Sequence, residues 1–485
     1  MARLLVGPFN RVEGDLEVSL DIRAGTVKRA QVNATMYRGF EQILQGKLPH
    51  DALVYVPRIC GICSVSQSVA SAKALADLAG ITVPDNGLHV TNLMQATENL
   101  ADHLTHFYLF FMPDFTRPVY ASRTWHAEAV RRFAPHTGEQ MREAIASRQR
   151  WFTLLGTLGG KWPHTQSIDP GGSSRAVEQA ERIRLLSKLR EFRRFLERHL
   201  FATPLEEMAA LSSLDALWAW HDAALNVGDF RLFLSCARDL ELHQLGAGPG
   251  LYLSFGAYSQ PGGAHALASG VWRASEQTLV EPDTLAITED AAHAWLEDAP
   301  MPLHPLQGMT LPNADKPGAY TWNKAPRLAG EVVETGAIAR QLASGHPLVR
   351  DAVAKHGGCV LTRVIARVLE LAIVVPMMER WLKALEPGDP YFTACELPDE
   401  GVGMGLGEAA RGALGHWLVV KNGRIANYQI VAPTSWNFSP RDAGGTPGAL
   451  EKALEGAPVL PGEKSPVSVQ HIVRSFDPCM VCTVH

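Results

Sequence analysis

The sequence of 485 residues contains no run of 18 apolar residues. The longest candidate, 368–378, is interrupted by Glu370 and Pro376, so no membrane-spanning helix is expected. An excess of charge of one sign is also missing: 45 Lys and Arg stand against 50 Asp and Glu, a formal net charge of −5. That balance argues against nucleic acid or a membrane surface as the principal partner. Seven cysteines are too few for a disulfide scaffold, and their odd number fits a reducing compartment with thiols free or bound to metal. Residues 1–9 show no long apolar stretch ending in a small-residue cleavage site and no twin arginine, so a cytoplasmic chain is expected. Internal repeats and low-complexity tracts are absent too. What is present, 46% hydrophobic and 20% charged residues, is ordinary globular composition. The chain is several times longer than a small single domain, so two or three packed subdomains are expected.

Alternation of Leu16, Val18, Leu20, Ile22, Val27 and Val32 around Ala24-Gly25 predicts a β-hairpin. A second hairpin is predicted where 417–420 and 425–431 flank Asn422-Gly423, a dipeptide that tolerates the positive φ of a tight turn. Between them the periodicity is helical. Residues 89–112 predict a buried helix; 175–200, with Ile183, Leu186, Leu189 and Phe195 among many charges, predict a surface helix. Further helices are expected from about Leu361 to Pro376 and over 329–344. Regions 244–264, 300–328 and 432–470 read as loops or connections. The expected fold class is α+β and predominantly helical: a central bundle (89–400) between hairpin-containing α+β segments (1–88 and 401–485).

The chemistry-bearing feature is a Cys-x-x-Cys pair near each end, Cys60-Gly-Ile-Cys63 and Cys479-Met-Val-Cys482, with His485 as the final residue. Two-residue spacing lets both thiolates of a pair face one ion, and Gly61 permits the tight backbone. Several readings compete. The thiols could be small buried core residues. A structural zinc site is possible, although zinc ribbons place their pairs about 15–20 residues apart. A redox dithiol needs one pair beside a βαβ pattern, which is absent. The remaining reading is a buried soft-ligand site for nickel, copper(I) or iron, closed by the two ends of the chain.

With these pairs in Arg58-Ile-Cys-Gly-Ile-Cys63 and Asp477-Pro-Cys-Met-Val-Cys-Thr-Val-His485, the sequence resembles the large subunits of nickel-iron hydrogenases essentially end to end. Arg11-Val-Glu-Gly14, Arg38-Gly-Phe-Glu41, Asp102-His-Leu-Thr-His-Phe-Tyr108, Gly415-His-Trp417 and Pro433-Thr-Ser-Trp-Asn437 add to the match. The resemblance implies Cys60 and Cys479 as terminal nickel ligands, and Cys63 and Cys482 as bridges to an iron carrying carbon monoxide and two cyanides. Four thiolates, two cyanides and two divalent metals leave a charge of −2, so a buried centre needs positive charge and donors nearby. Arg411 matches the family's arginine beside the metals, and Thr434 its cyanide-bonding hydroxyl; Asp102 and Asp477 fall in the same motifs. Read without the resemblance, Arg411 is a surface arginine and Glu13 a solvated loop carboxylate. With it, Glu13 is the proton relay, hydrogen-bonded to Cys479, which is first to accept the proton of heterolytic cleavage. Glu41 and His485, with waters and the Ile430 carbonyl, are implied to hold magnesium.

Three departures bear on the kind of hydrogenase. Gln67 stands where catalytic members commonly have His, Ile62 where they have Val, and Phe110 where Leu is common. The two apolar changes add bulk along the implied gas route, although core repacking explains changes of this size as well. Together they resemble the regulatory, dihydrogen-sensing branch. A sensing large subunit is therefore the leading expectation, turning over slowly, with an iron-sulfur small subunit and a histidine kinase as partners. An energy-linked uptake hydrogenase is the runner-up. Cys236, Cys359 and Cys395 are isolated, so clusters must lie in the partner. A quinone-reductase scaffold of the same fold, or a structural zinc protein, represents the other class.

Overall fold

A computed structural model describes residues 2–225 and 227–485. Both predicted hairpins form, each within a three-stranded antiparallel sheet. Leu16–Arg23 pairs with Thr26–Ala34 across Ala24-Gly25, and the alternating Leu16, Val18, Leu20, Val27 and Val32 are fully buried. Ala2–Val6, which the sequence reading did not single out, adds a strand at the edge. Gly412–Lys421 pairs with Arg424–Val431, and Asn422 and Gly423 take φ of 51° and 68°, the left-handed pair a tight hairpin turn requires. Gly401–Ala409 completes that sheet.

The body is helical, with corrections. Asp85–Thr105 is almost wholly buried and continues into a π-helical turn, His106–Phe111. Gln179–Phe195 buries Leu185, Leu189, Phe192 and Phe195 under a charged face, while Ile183 points outward. The helix expected to stop at Pro376 runs Val360–Ala384 through it. Burial of nearly every residue from 360 to 375 offsets the single backbone hydrogen bond a mid-helix proline removes. The helix expected over 329–344 shrinks to Ala337–Ala343, because Gly330 and Gly336 take positive φ. Region 244–264 is not a loop throughout: Leu251–Ser259 pairs with His265–Arg273, which pairs with Thr278–Val280. Pro433–Asn437 and Ala449–Leu454 are short helices inside 432–470.

Two arrangements bring the ends of the chain together. The N-terminal sheet docks on the C-terminal segment through Val27 N–H to Ala457 O (3.0 Å), Gly456 N–H to Val27 O (2.8 Å) and Val32 N–H to Glu451 Oε1 (3.0 Å). The helix Ser64–Ala79 lies on the Gly401–Ala409 strand at backbone contact. A Cβ at Gly405 would sit 1.9 Å from Ala70 O, and one at Gly403 2.1 Å from Ala74 O. Glycine at 403 and 405 is what this approach requires.

A charged network threads the core beneath the site. Arg340 donates to Glu370 Oε1 (2.8 Å), Glu408 Oε2 (2.8 Å) and the Ala409 and Ala410 carbonyls, while His103 Nε2 lies 3.1 Å from Glu370. Burial acts to raise the Glu370 carboxyl, but Arg340 and His103 bring it down to about 2. A depressed folded value contributes stability above the ordinary 4.5, and that contribution is lost as pH falls through about 2. Glu370→Gln is expected to lower unfolding free energy by about 3–5 kcal/mol, because Arg340 is left buried with incomplete pairing. Urea denaturation of both forms at neutral pH and at pH below 4 measures it. The gap should narrow in acid, and equal midpoints at neutral pH would contradict the assignment.

Candidate metal centre

Each cysteine pair sits where a loop turns into a helix. Cys63 is the N-cap of Ser64–Ala79, and Cys479 that of the turn Met480–Thr483. Asp477, at φ 58°, ends the helix Val467–Phe476 in the left-handed conformation and redirects the chain into the second pair. The four sulfur atoms lie within 4.8 Å of one another, all buried, the only such group of metal-ligating side chains among the described residues. Cys60 Sγ is 3.4 Å from Cys479 Sγ and Cys63 Sγ 2.9 Å from Cys482 Sγ, so each front cysteine faces one at the end. Arg38 ties the two loops, donating to Ile59 O (2.6 Å) and to Val481 O. Met480 N–H donates to Glu13 O (2.8 Å), and Cys479 N–H to Thr434 Oγ1 (3.1 Å).

The electrostatics call for a cation. Two like unit charges 4 Å apart repel by about 4 kcal/mol even at an effective dielectric of about 20. The thiols respond accordingly. Against desolvation, hydrogen bonds from Cys482, Cys60 and Cys63 and the charge of Arg411 hold Cys479 well below the ordinary thiol range. Hydrogen bonds to its neighbours and burial push Cys63 well above it. Four soft donors that cannot all ionise unaided are a donor set for soft transition metals, and the residues present fit a nickel-iron pair.

Arg411 is 3% exposed, not a surface residue. Burial acts against its charge, but Asp102, Asp477 and Cys479 hold it firmly protonated. It donates to both oxygens of Asp102, to Asp477 Oδ1 (3.1 Å) and, through Nε, to Asp477 O (2.9 Å). Arg367 donates to Asp477 Oδ2 (3.1 Å). Glu13 is half-buried, its carboxyl raised by desolvation and then by Cys479. Its backbone bridges Cys479, but the expected bond from its carboxyl to that sulfur is not formed, and the carboxyl has no hydrogen-bond partner among the described residues.

Glu41 and His485 are brought together, with His485 Nε2 3.1 Å from Glu41 Oε1. Ile430 meets Glu41 through its N–H (2.8 Å). Thr310 Oγ1 also donates to Glu41, and Lys324 Nζ, 4.0 Å from it, is bonded to Glu289 Oε2 (2.6 Å) and Gln429 Oε1 (3.0 Å). Two adjacent ligands of an octahedral cation with bonds of about 2.1 Å lie about 3 Å apart, which this pair fits. Gln67 Oε1 is 2.8 Å from His416 Nε2, whose other nitrogen meets the Tyr428 hydroxyl (2.8 Å), so Gln67 belongs to a buried polar network. Ile62 and Phe110 are both half-buried, and the Phe110 carbonyl accepts from Arg11. Arg38, Arg367, Lys324 and Glu289 were not assigned from sequence. Only Arg38, inside a quoted motif, carried a signal.

Fold and site together define a subunit built to hold a thiolate-bound metal centre between its two ends. A family profile described as nickel-dependent hydrogenase matches residues 38–137 and 140–485, and the chain belongs to that family, as a hydrogenase large subunit. It is 29% identical to the periplasmic [NiFeSe] hydrogenase large subunit of Desulfomicrobium baculatum, over 100% of this chain and 95% of the relative. Identity to the uptake hydrogenase large subunit of Rubrivivax gelatinosus is 27% over 100% and 95% of the chains, and to the hydrogenase-2 large chain of Escherichia coli K12 27% over 100% and 97%. The crystal structure of the reduced, active Ni-Fe-Se hydrogenase from D. baculatum superposes with a TM-score of 0.86 at 29% identity, covering both chains fully. Two of these relatives are named as a periplasmic and an uptake hydrogenase, so the match supports a hydrogenase and does not single out the sensing branch. No helix of the described residues is long and apolar enough to cross a membrane.

Proposed function

We propose that this chain is the subunit in which dihydrogen is split heterolytically, and that energy-linked uptake is its role. The convergence of Cys60, Cys63, Cys479 and Cys482 beside Arg411 carries the reading. Cys60 and Cys479 would hold the nickel, and Cys63 and Cys482 would help hold the nickel-iron pair. Once bound, the metal pair supplies the electrophile that polarises dihydrogen and receives its electrons. The chain handles the proton: Cys479 Sγ takes it first, and the Glu13 carboxyl, whose backbone pairs with Cys479 and which has no hydrogen-bond partner among the described residues, carries it outward. Arg411 offsets the negative charge of the centre. The Thr434 hydroxyl, whose oxygen accepts from Cys479 N–H, would have its own proton to donate to a cyanide on iron. Magnesium is assigned to Glu41 and His485 with water. Electrons leave through an iron-sulfur small subunit, since Cys236, Cys359 and Cys395 lie in separate segments and outside the thiol cluster. The cytoplasm is assigned on the seven free thiols, and cell fractionation tests it.

The uptake role is supported by the relatives' names. Sensing of dihydrogen, with a histidine kinase as further partner, is the second reading, favoured by Ile62, Gln67 and Phe110. Dye-linked dihydrogen oxidation with and without air separates the two. Rapid, oxygen-inhibited turnover is expected of uptake, and slow, oxygen-indifferent turnover of sensing. In the second case Ile62→Val with Phe110→Leu should make the protein oxygen-sensitive; continued indifference removes the constriction idea. Zinc without nickel, or no infrared bands of carbon monoxide and cyanide, would remove the hydrogenase assignment.

A further inference from the structure

Glu98 stands one turn before Asp102 in the helix Asp85–Thr105 and is 1% exposed. No ion pair with Lys or Arg of the described residues satisfies it; neutral donors do. Its Oε2 accepts from Val65 N–H (2.9 Å), the Ser64 hydroxyl (3.3 Å) and the Trp162 indole N–H (2.9 Å). Its Oε1 accepts from Ser66 N–H (3.0 Å) and the Ser66 hydroxyl (3.3 Å). Ser64, Val65 and Ser66 are the first three residues of the helix Ser64–Ala79, whose N-cap is Cys63.

The first N–H groups of a helix have no partner within it, and the side chain of the N-cap residue ordinarily supplies one. Cys63 makes no such cap bond. Its sulfur faces Cys482 instead. With the Cys63 sulfur turned toward Cys482 and away from these N–H groups, the capping acceptor comes from elsewhere. A carboxylate is well suited, because the positive end of the helix dipole favours negative charge there.

We propose that Glu98 caps this helix in place of Cys63 and is thereby the positioning residue that aims the Cys63 sulfur at the metal centre. The assignment rests on the reading of Cys63 as a ligand. It also gives the Asp85–Thr105 helix a defined task. One turn apart, Glu98 fixes the front cysteine pair, while Asp102, through Arg411 and Asp477, fixes the rear one. Error in that spacing is error in the distance between the two halves of the site.

The test uses the full chain, produced without nickel, and Glu98→Gln, which keeps the shape but turns an N–H₂ group toward donors. Amide exchange of Val65 and Ser66 should quicken at least tenfold. Alkylation of Cys63 by iodoacetamide should quicken by a similar factor, with buried Cys236 unchanged. In the nickel-loaded protein the infrared bands of the iron ligands should shift. Glu98→Ala should give the same pattern, more strongly. Unchanged protection of Val65 and Ser66 in Glu98→Gln overturns the cap. Equal acceleration at Cys236 overturns it too, by making Glu98 a general core residue. Absence of nickel from the parent protein would instead count against the metal reading and leave the cap standing.

Discussion

Alanine at Cys60, Cys63, Cys479 or Cys482 is expected to strip nickel from the purified protein and to cut dihydrogen oxidation at least about a thousandfold, equivalent to about 4 kcal/mol of barrier. The magnitude follows from the geometry. Each sulfur is within 4.8 Å of the other three, so removing one opens a corner of the only soft-donor cage among the described residues. No neighbour can replace it: the other three cysteines are placed elsewhere, and Arg38, Thr434 and the Glu13 backbone are already bonded to the two loops. Alanine at Cys236 supplies the control, since that thiol is buried in the helix Asp229–Asp239 and should leave nickel content intact. Nickel by atomic absorption, beside dye-linked activity, reads both. Retention of nickel and activity in Cys63→Ala or Cys482→Ala would end the four-thiolate reading. Loss of nickel in Cys236→Ala alone would relocate the site.

The parts of this site that were legible in sequence are those whose chemistry needs a fixed local spacing. Two Cys-x-x-Cys pairs announce themselves because two residues set the bite of a pair, and the Asn422-Gly423 turn because only certain residues accept its φ values. Contacts between distant segments leave no such mark. Glu98 reads as one more polar residue in a helical pattern; its meaning depends on the 64–66 amides arriving beneath it. Lys324 reaches Glu41 and Glu289 only after three segments converge. The glycines at 403 and 405 carry no mark in the sequence of their packing, because close approach to a helix is not encoded in the strand itself. The Leu251–Ser259 strand was lost for a related reason. Its burial on both faces removes the polar alternation that identifies a half-exposed strand.

Glu13→Gln is expected to leave nickel content unchanged while slowing isotope exchange between dihydrogen and water by about 10²–10⁴-fold, the range a positioned proton carrier contributes. The variant isolates proton handling because Glu13 has two separable connections to the site. Its backbone carries the structural one, accepting from Met480 N–H and pairing with Cys479, and any residue preserves it. The carboxyl carries the other: desolvation and the neighbouring Cys479 sulfur raise its pKa, and no bond within the described residues pins it. A carboxyl so placed can move between the sulfur and solvent, and an amide of equal size can occupy the position without carrying a proton. Glu13→Asp, shorter by one methylene, should recover part of the exchange if reach is what matters. Electron uptake that stays fast in a single turnover, with exchange slow, is the signature of a blocked proton path. Exchange at the parent rate in Glu13→Gln would assign the proton to another route, and the free carboxyl beside Cys479 would then be a consequence of the loop's shape.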